Sequence, residues 1–365
     1  LYIYYMIKIG IYIKDISYNG LFNNGCNQQS YFIFMLLNNI PKCTCLFISD
    51  KGVPYFNQIP LKLDDVEQIY TLDAIIGISK VLSDKPYLEK LVEHNVKLIE
   101  YNCGNIYYML NENIIYSKYV FKIDMDVYKY YTSQWHIPNY KKDIEFYKEI
   151  TQLKDVHTVP YIWDPFVLHN WIHNHTDISY TIENNNLPMK YILILEPNLQ
   201  TTKTCLLPLL ICNKLYNDGY KNIQVLLFCN PKTESFSCFC NNLSIYKDGK
   251  INMYNRVIFY EILQKIKDKA VYILSHQKDN PLNFIHLETL YLNYPLIHNT
   301  NEYSNVGYHY TTISEGVSSL LDAFTNHIDN IEHYKVETTK LIRSFSPNLK
   351  NNISIYKDFI DNLLH

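Results

Sequence analysis

KAVYILSHQKDNPLNFIHLETLYLNYPLIHN, residues 269–299, reads as a strand, a polar loop, a helix and a second short strand. KAVYIL is a run of apolar, β-branched and aromatic residues, SHQKDNPLN breaks it, FIHLETLYLN has helical spacing, and Pro295 opens the apolar run YPLIHN. Strand, helix and strand in succession are the repeating unit of a parallel-sheet α/β domain.

Reading outward, the same grammar covers the chain. Upstream stand KYILILEP (190–197), a helix through CLLPLLICNKLYND (205–218) and the strand IQVLLFCN (223–230). In the first half the strands are MIKIGIYI (6–13), CTCLFIS (43–49), AIIGIS (74–79), VKLIEY (96–101), YVFKID (119–124) and VHTVPYI (156–162). Helices are expected over 28–40 and 85–95. The polar, Asn-rich, poorly periodic stretch 169–189 separates the halves and reads as a linker. The expected organisation is a first Rossmann-like domain over 6–168, the linker, a second Rossmann-like domain over 190–340, and a helical segment over 341–365 that packs back on the first domain. Leu1 to Tyr5 precede a Met and are assigned no functional weight.

With 365 residues and 47% hydrophobic content, the chain is long enough for two domains that each bury a core. A formal net charge of -3 and the lack of any dense Lys/Arg cluster argue against nucleic acid as a partner. The nine scattered cysteines favour free thiols in a reducing compartment, so a cytoplasmic location is expected and no structural zinc site. LYIYYMIKIGIYI is interrupted by Lys8 and shorter than the roughly 20 residues of a membrane helix. It reads as a buried strand, and no integral membrane segment is expected.

Phosphate sites in α/β proteins lie where a strand runs through a glycine-bearing loop into a helix, because free amides and the helix dipole face the anion there. DISYNGLFNNGCNQQ holds that position after the first strand. Gly20 and Gly25 have P-loop spacing, but Cys26 and Asn27 stand where Lys and Ser/Thr are needed, and G-x-G-x-x-G is absent. An NTPase and a nicotinamide dehydrogenase are both set aside. Asn19, Gly20, Gly25, Asn27 and Gln28 remain as residues that could bond hydroxyls, or that form a turn capping the next helix. Asn102, Gly104 and Asn105 in YNCGN form a second such loop, with Gly104 read as allowing close approach of a chain. Asp124 and Asp126 spell D-x-D without being read as a metal loop. YSNVGYHYTT (303–312) reads as packing.

The stretch 275–299 resembles the donor-site segment of GT-B glycosyltransferases, which carries two acids in an E-x7-E pattern ahead of a Pro-led strand. Glu288 matches the second acid, which by that resemblance holds ribose hydroxyls; Asn280 falls on the first, removing a carboxylate beside the transferred sugar. ILEPNLQTTKTCLLPLLICNKL (194–215) resembles the opening of the same domain, with Lys203 matching the lysine that neutralises the diphosphate. The arginine usual just after the strand is replaced around Pro197 and Asn198. With NGCNQQ, YNCGN, TVPYIWDP (158–165), EPN and HQKDNPLNFIHLE in order, the chain resembles a poorly characterised, domain-of-unknown-function family of GT-B-like glycosyltransferases over most of 6–327.

The resemblance implies an α/β GT-B fold, two Rossmann-like domains with parallel sheets facing across a cleft. It implies a metal-independent transferase, leaning to retention, that takes sugar from a nucleoside diphosphate sugar as co-substrate, with no other cofactor, to a glycan, protein or small-molecule acceptor. The donor would be bound by Lys203, Glu288, Asn280, His276, Asn198 and Asn283, and the acceptor by the first-domain loops. No general base stands out; Asp15, His136 and Asp164 are the weak candidates. Two other readings stay open: a non-catalytic GT-B protein that binds a glycan or nucleotide, and a nucleotide-sugar epimerase of the same fold.

Overall fold

The computed structural model describes residues 6–13, 25–54, 58–79, 82–116, 125–173, 187–229, 234–280 and 283–364. The chain divides into two units, Leu1–Asp164 with Ser344–His365, and Pro165–Arg343. The helix Phe166–His173 runs through the start of the stretch read as a linker, whose residues 174–186 lie outside the described residues.

In the first unit the strands are β1 Ile7–Tyr12, β2 Cys43–Ser49, β3 Leu61–Lys62, β4 Ala74–Ile78, β5 Lys97–Asn102, β6 Ser133–His136 and β7 Val156–Thr158. They form one parallel sheet in the order β3-β2-β1-β4-β5-β6-β7. β4, AIIGI, is buried at every position, as a central strand covered on both faces must be. The strand read at 119–124 lies outside the described residues. The place between β5 and β7 belongs to β6, whose sequence SQWH is wholly buried yet mostly polar.

The helix expected from Gln28 starts at Gly25 and runs to Asn38, so Gly25, Asn27 and Gln28 lie in its first turn and not in a loop. The closing helix Lys350–Leu364 belongs to this unit. Its Tyr356 is fully buried, donates a 2.8 Å hydrogen bond to the Pro160 carbonyl, and meets Trp135 edge-on at 5.8 Å. Asn352 closes the turn before it by donating to the carbonyls of Ser344 and Ser346, each at 3.0 Å.

The second unit contains β8 Lys190–Ile194, β9 Ile223–Phe228, β10 Ile251–Tyr254, β11 Ala270–Leu274, β12 Leu296–His298 and β13 Tyr308–His309. These are parallel in the order β10-β9-β8-β11-β12-β13. The chain therefore reverses its direction of strand addition between β8 and β11, which opens a crevice beyond their carboxyl ends. On one face Leu206–Asn217 packs against Ile313–Asn326, and Gly316 makes room for Ile211: a Cβ there would lie 2.6 Å from Ile211 Cδ1. The second of these helices is opened by a capping box in which Thr312 and Glu315 satisfy each other's backbone amides.

Between the turn Asn301–Tyr303 and β13, Gly307 has φ +78°, and a Cβ would stand 2.9 Å from the Leu296 carbonyl oxygen of β12. Backbone cannot yield as a flexible side chain does. Gly307→Ala is expected to cost about 2 kcal/mol, read as a lower denaturant midpoint. Gly219, also at positive φ but with open space around its Cβ, should lose only about 1 kcal/mol on the same change. Equal losses would show that the contact with β12 is not what requires the glycine.

Candidate functional site

β8 delivers Glu196 to the crevice, and β11 delivers Ser275, His276 and Gln277. Glu196 is 2% exposed, and its Oε1 accepts from Ser275 Oγ at 2.5 Å, the His276 amide at 3.0 Å and Gln277 Nε2 at 3.2 Å. Its Oε2 is buried without a hydrogen-bond partner. Burial raises the carboxyl above its ordinary range, while the Ser275 and His276 donors, its own backbone amide and the positive charge of Lys203 pull it back.

Behind Ser275 stands His286, fully buried on the helix Phe284–Tyr291. Its Nε2 is 2.7 Å from Ser275 Oγ and its Nδ1 2.6 Å from Tyr303 Oη. Burial, then the neighbouring His298 and Lys203, depress its basicity, so the ring is neutral at physiological pH. The directions follow. Ser275 has one hydroxyl proton and gives it to Glu196, so its oxygen accepts from Nε2–H, which leaves Nδ1 to accept from Tyr303. Three hydrogen bonds thus run one way, from Tyr303 through His286 and Ser275 to Glu196.

Loops on either side are tied to this centre. The Gln277 amide donates to Asn299 Oδ1 and the Asn299 amide group returns a bond to the Gln277 carbonyl, both at 2.8 Å. Asn280, buried, donates to Gln277 Oε1 at 3.5 Å. The Lys278 amide donates to the Thr202 carbonyl at 2.9 Å, which joins this loop to the one carrying half-buried Lys203; the Lys203 amide in turn bonds the Gln200 carbonyl at 3.1 Å. Tyr310 donates to the Ser275 carbonyl at 2.9 Å, so His276 Nδ1, 3.2 Å from that phenol oxygen, is the donor to it and Nε2 is the acceptor nitrogen of the ring.

The structure therefore brings Lys203, His276 and Asn280 together around Glu196. Asn198, at φ 54°, accepts from the Cys205 amide at 2.8 Å and donates to Cys205 Sγ at 3.0 Å, which organises the start of the Leu206–Asn217 helix. Asn283 caps Phe284–Tyr291 by accepting from the Ile285 amide at 3.3 Å. Glu288 is 4% exposed on that helix and takes its hydrogen bond from Tyr260; burial pushes it up to about 7 against the pull of that bond. Glu196, Ser275, His286 and Tyr303 were missed as site residues by the sequence reading. An acid directly after a parallel strand was the available signal for the first.

In the first unit, Asn102 and His136 are register partners at the ends of β5 and β6, one step beyond Glu100 and Gln134 on the same sheet face. Gln134 Nε2 donates to Glu100 at 2.5 Å. His136 is fully buried, stacks on Tyr147 at 3.9 Å and is lowered by burial to about 3, which makes it a very weak base. The Asn102 side chain acts on Glu100, lowering its carboxyl against burial, and both His136 ring nitrogens are buried without partners. Asn105 caps the Ile106–Tyr116 helix through the Tyr108 amide at 3.2 Å. A Cβ on Gly104 would meet only Met109 Sδ at 3.7 Å, an ordinary contact, so the close approach read there is not demanded by the protein. Asp126 pairs with Lys85 at 3.1 Å, and Asp164 acts on Tyr31. Asp15, Asn19, Gly20 and Asp124 lie outside the described residues.

All nine cysteines are free thiols. Among the described residues, no group of three or more His, Cys, Asp or Glu side chains could hold a metal ion, and no helix is long and apolar enough to cross a membrane.

The sequence model of a family described as "Protein of unknown function (DUF2827)" matches residues 8–360. No curated protein matches the chain. Among solved structures, the apo form of the lipopolysaccharide outer core galactosyltransferase WaaB is similar at 12% identity, with 98% of this chain and 99% of that one covered and a TM-score of 0.53. A glycosyltransferase from Rickettsia africae ESF-5 matches at 13% identity and a TM-score of 0.54, again over 98% and 99%. Anabaena Alr3699/HepE, solved in complex with UDP-glucose, matches at 9% identity over the same shares with a TM-score of 0.54. At these identities the likeness is one of fold, and the fold is GT-B.

Glu288 makes a pH prediction. Its folded-state pKa of about 7 lies above the ordinary 4.5, so its contribution is fully present below about pH 4.5 and is lost as pH rises through 7, by about 3 kcal/mol at most. Glu288→Gln removes that slope. Melting curves from pH 5 to 8 should show the variant gaining on the parent as pH rises; parallel curves would mean that Glu288 does not titrate in this window.

Proposed function

We propose that this chain, which belongs to the DUF2827 family, is a glycosyltransferase that binds a nucleoside diphosphate sugar at the carboxyl ends of β8 and β11. The observation that carries this reading is the polar cluster at the switch point of the second sheet, where Glu196, Ser275, His276, Gln277 and Asn280 are joined by hydrogen bonds beside a lysine. A crevice beyond parallel strand ends is where α/β sheets take ligands. The Anabaena structure of the same fold holds UDP-glucose. Fold alone does not fix function, so the weight rests on the cluster.

In this reading Lys203 and the amino end of Leu206–Asn217 face the diphosphate, and the leaving group is stabilised by that charge and dipole without a metal. Glu288 holds the ribose hydroxyls. The transfer leans to retention of configuration, the side to which the partial E-x7-E pattern points. A glycan, protein or small-molecule acceptor is assigned to the first unit, through Asn102, Asn105 and the segment that ends in Gln28. A second reading, a GT-B protein that binds nucleotide sugar without transferring it, is favoured by Asn280, an amide where a carboxylate is expected.

A thermal-shift screen of UDP, GDP and ADP with their hexose esters tests the site. At least one is expected to stabilise the protein, and Lys203→Ala should weaken it tenfold or more, about 1.4 kcal/mol. No shift with any of them would end the donor-site reading. Release of nucleoside diphosphate from the bound ester, with or without added acceptors, separates the transferase from the binding protein.

A further inference from the structure

We propose that Glu196 is a sugar-reading residue of this site, its Oε2 accepting a hydrogen bond from a hydroxyl of the hexose carried by the nucleotide. The inference rests on the nucleotide-sugar reading above and adds to it the residue that distinguishes a sugar ester from a bare diphosphate.

The two oxygens of this carboxylate do different things. Of the two, Oε1 ties the exit of β8 to that of β11, through Ser275, His276 and Gln277. A glutamine carbonyl could accept the same three bonds, so the strut does not explain why the residue is an acid. Oε2 is buried without a partner, and an oxygen left so in a closed protein is costly. An acid keeps Oε2 an acceptor, which suits a donor from outside the chain.

The polarity of that partner is set by the surroundings. Tyr303, His286 and Ser275 all pass their hydrogen bonds toward Glu196, which organises it as an acceptor and not as a donor. A phosphate offers no proton at neutral pH and is repelled by a carboxylate, so it does not fit Oε2. Lys203, whose charge reaches Glu196, is the matching group for phosphate. A ligand anionic at one end and hydroxylic at the other meets both demands, with its diphosphate toward Lys203 and its hexose toward Glu196. Asn280, joined to Glu196 through Gln277, gives the same region a neutral amide for a neighbouring hydroxyl.

The test is a double-mutant cycle by calorimetry, with protein and Glu196→Gln on one side and the tightest hexose ester from the screen and its monofluoro sugars on the other. Fluorine keeps the size of a hydroxyl but cannot donate. At one ring position the fluoro sugar should bind the parent about tenfold more weakly, and Glu196→Gln by less than twofold, while the bare nucleoside diphosphate binds both proteins alike. Equal losses on parent and variant at every position overturn the proposal, as does a variant that weakens the bare diphosphate as much as the ester, which would make Glu196 a strut only. Failure of the parent to bind any nucleotide overturns the site reading itself, and this inference with it.

Discussion

One carboxylate oxygen holds the second unit's site in shape. Parallel strands present their carboxyl ends side by side, but the loops that leave them diverge, and at the switch point between β8 and β11 they leave toward different helices. Glu196 Oε1 closes that divergence with three donors from consecutive residues of β11's exit. Ser275 is fixed in turn by His286, and Gln277 by Asn299, so each strand end is locked to the next through a side chain. The Lys203 loop, tied on by the Lys278 amide, inherits its position from this closure.

The fold was legible where burial on both faces makes a strand a plain apolar run. KAVYIL, KYILIL and AIIGIS announce β11, β8 and β4 because helices cover both sides of a parallel sheet and leave no polar positions. The missed strands break that rule for physical reasons. β10, INMY, is an edge strand with two exposed positions, and β3 and β13 are only Leu61–Lys62 and Tyr308–His309. β6, SQWH, is buried but carries Gln134 and His136 on the polar face it shares with Glu100 and Asn102. Polar residues there read as loop, since their partners lie on a strand distant in sequence.

The site was legible in its loops and not in its centre. Lys203, His276 and Asn280 stand at strand exits and were found by position. Ser275, His286 and Tyr303 act through one another, and nothing local marks a serine, a helix histidine and a turn tyrosine as a chain of hydrogen bonds. Asn198 and Asn283 show the opposite limit. Both were read as donor-site residues, and their side chains are engaged in building the helix starts that follow.

Three buried acids share one style of stabilisation. Glu100 accepts from Gln134 and Tyr128, Glu196 from Ser275, His276 and Gln277, and Glu288 from Tyr260. Each of these donors is neutral. A buried ion pair would satisfy a carboxylate and consume a cation, whereas neutral donors offset burial only in part, so each of these carboxyls stays above its ordinary range. Acids held by amides and hydroxyls add shape and hydrogen-bond acceptors. The positive charge of Lys203 acts on Glu196 at the same strand exit, and burial with the neighbouring His298 and Lys203 keeps His286 neutral.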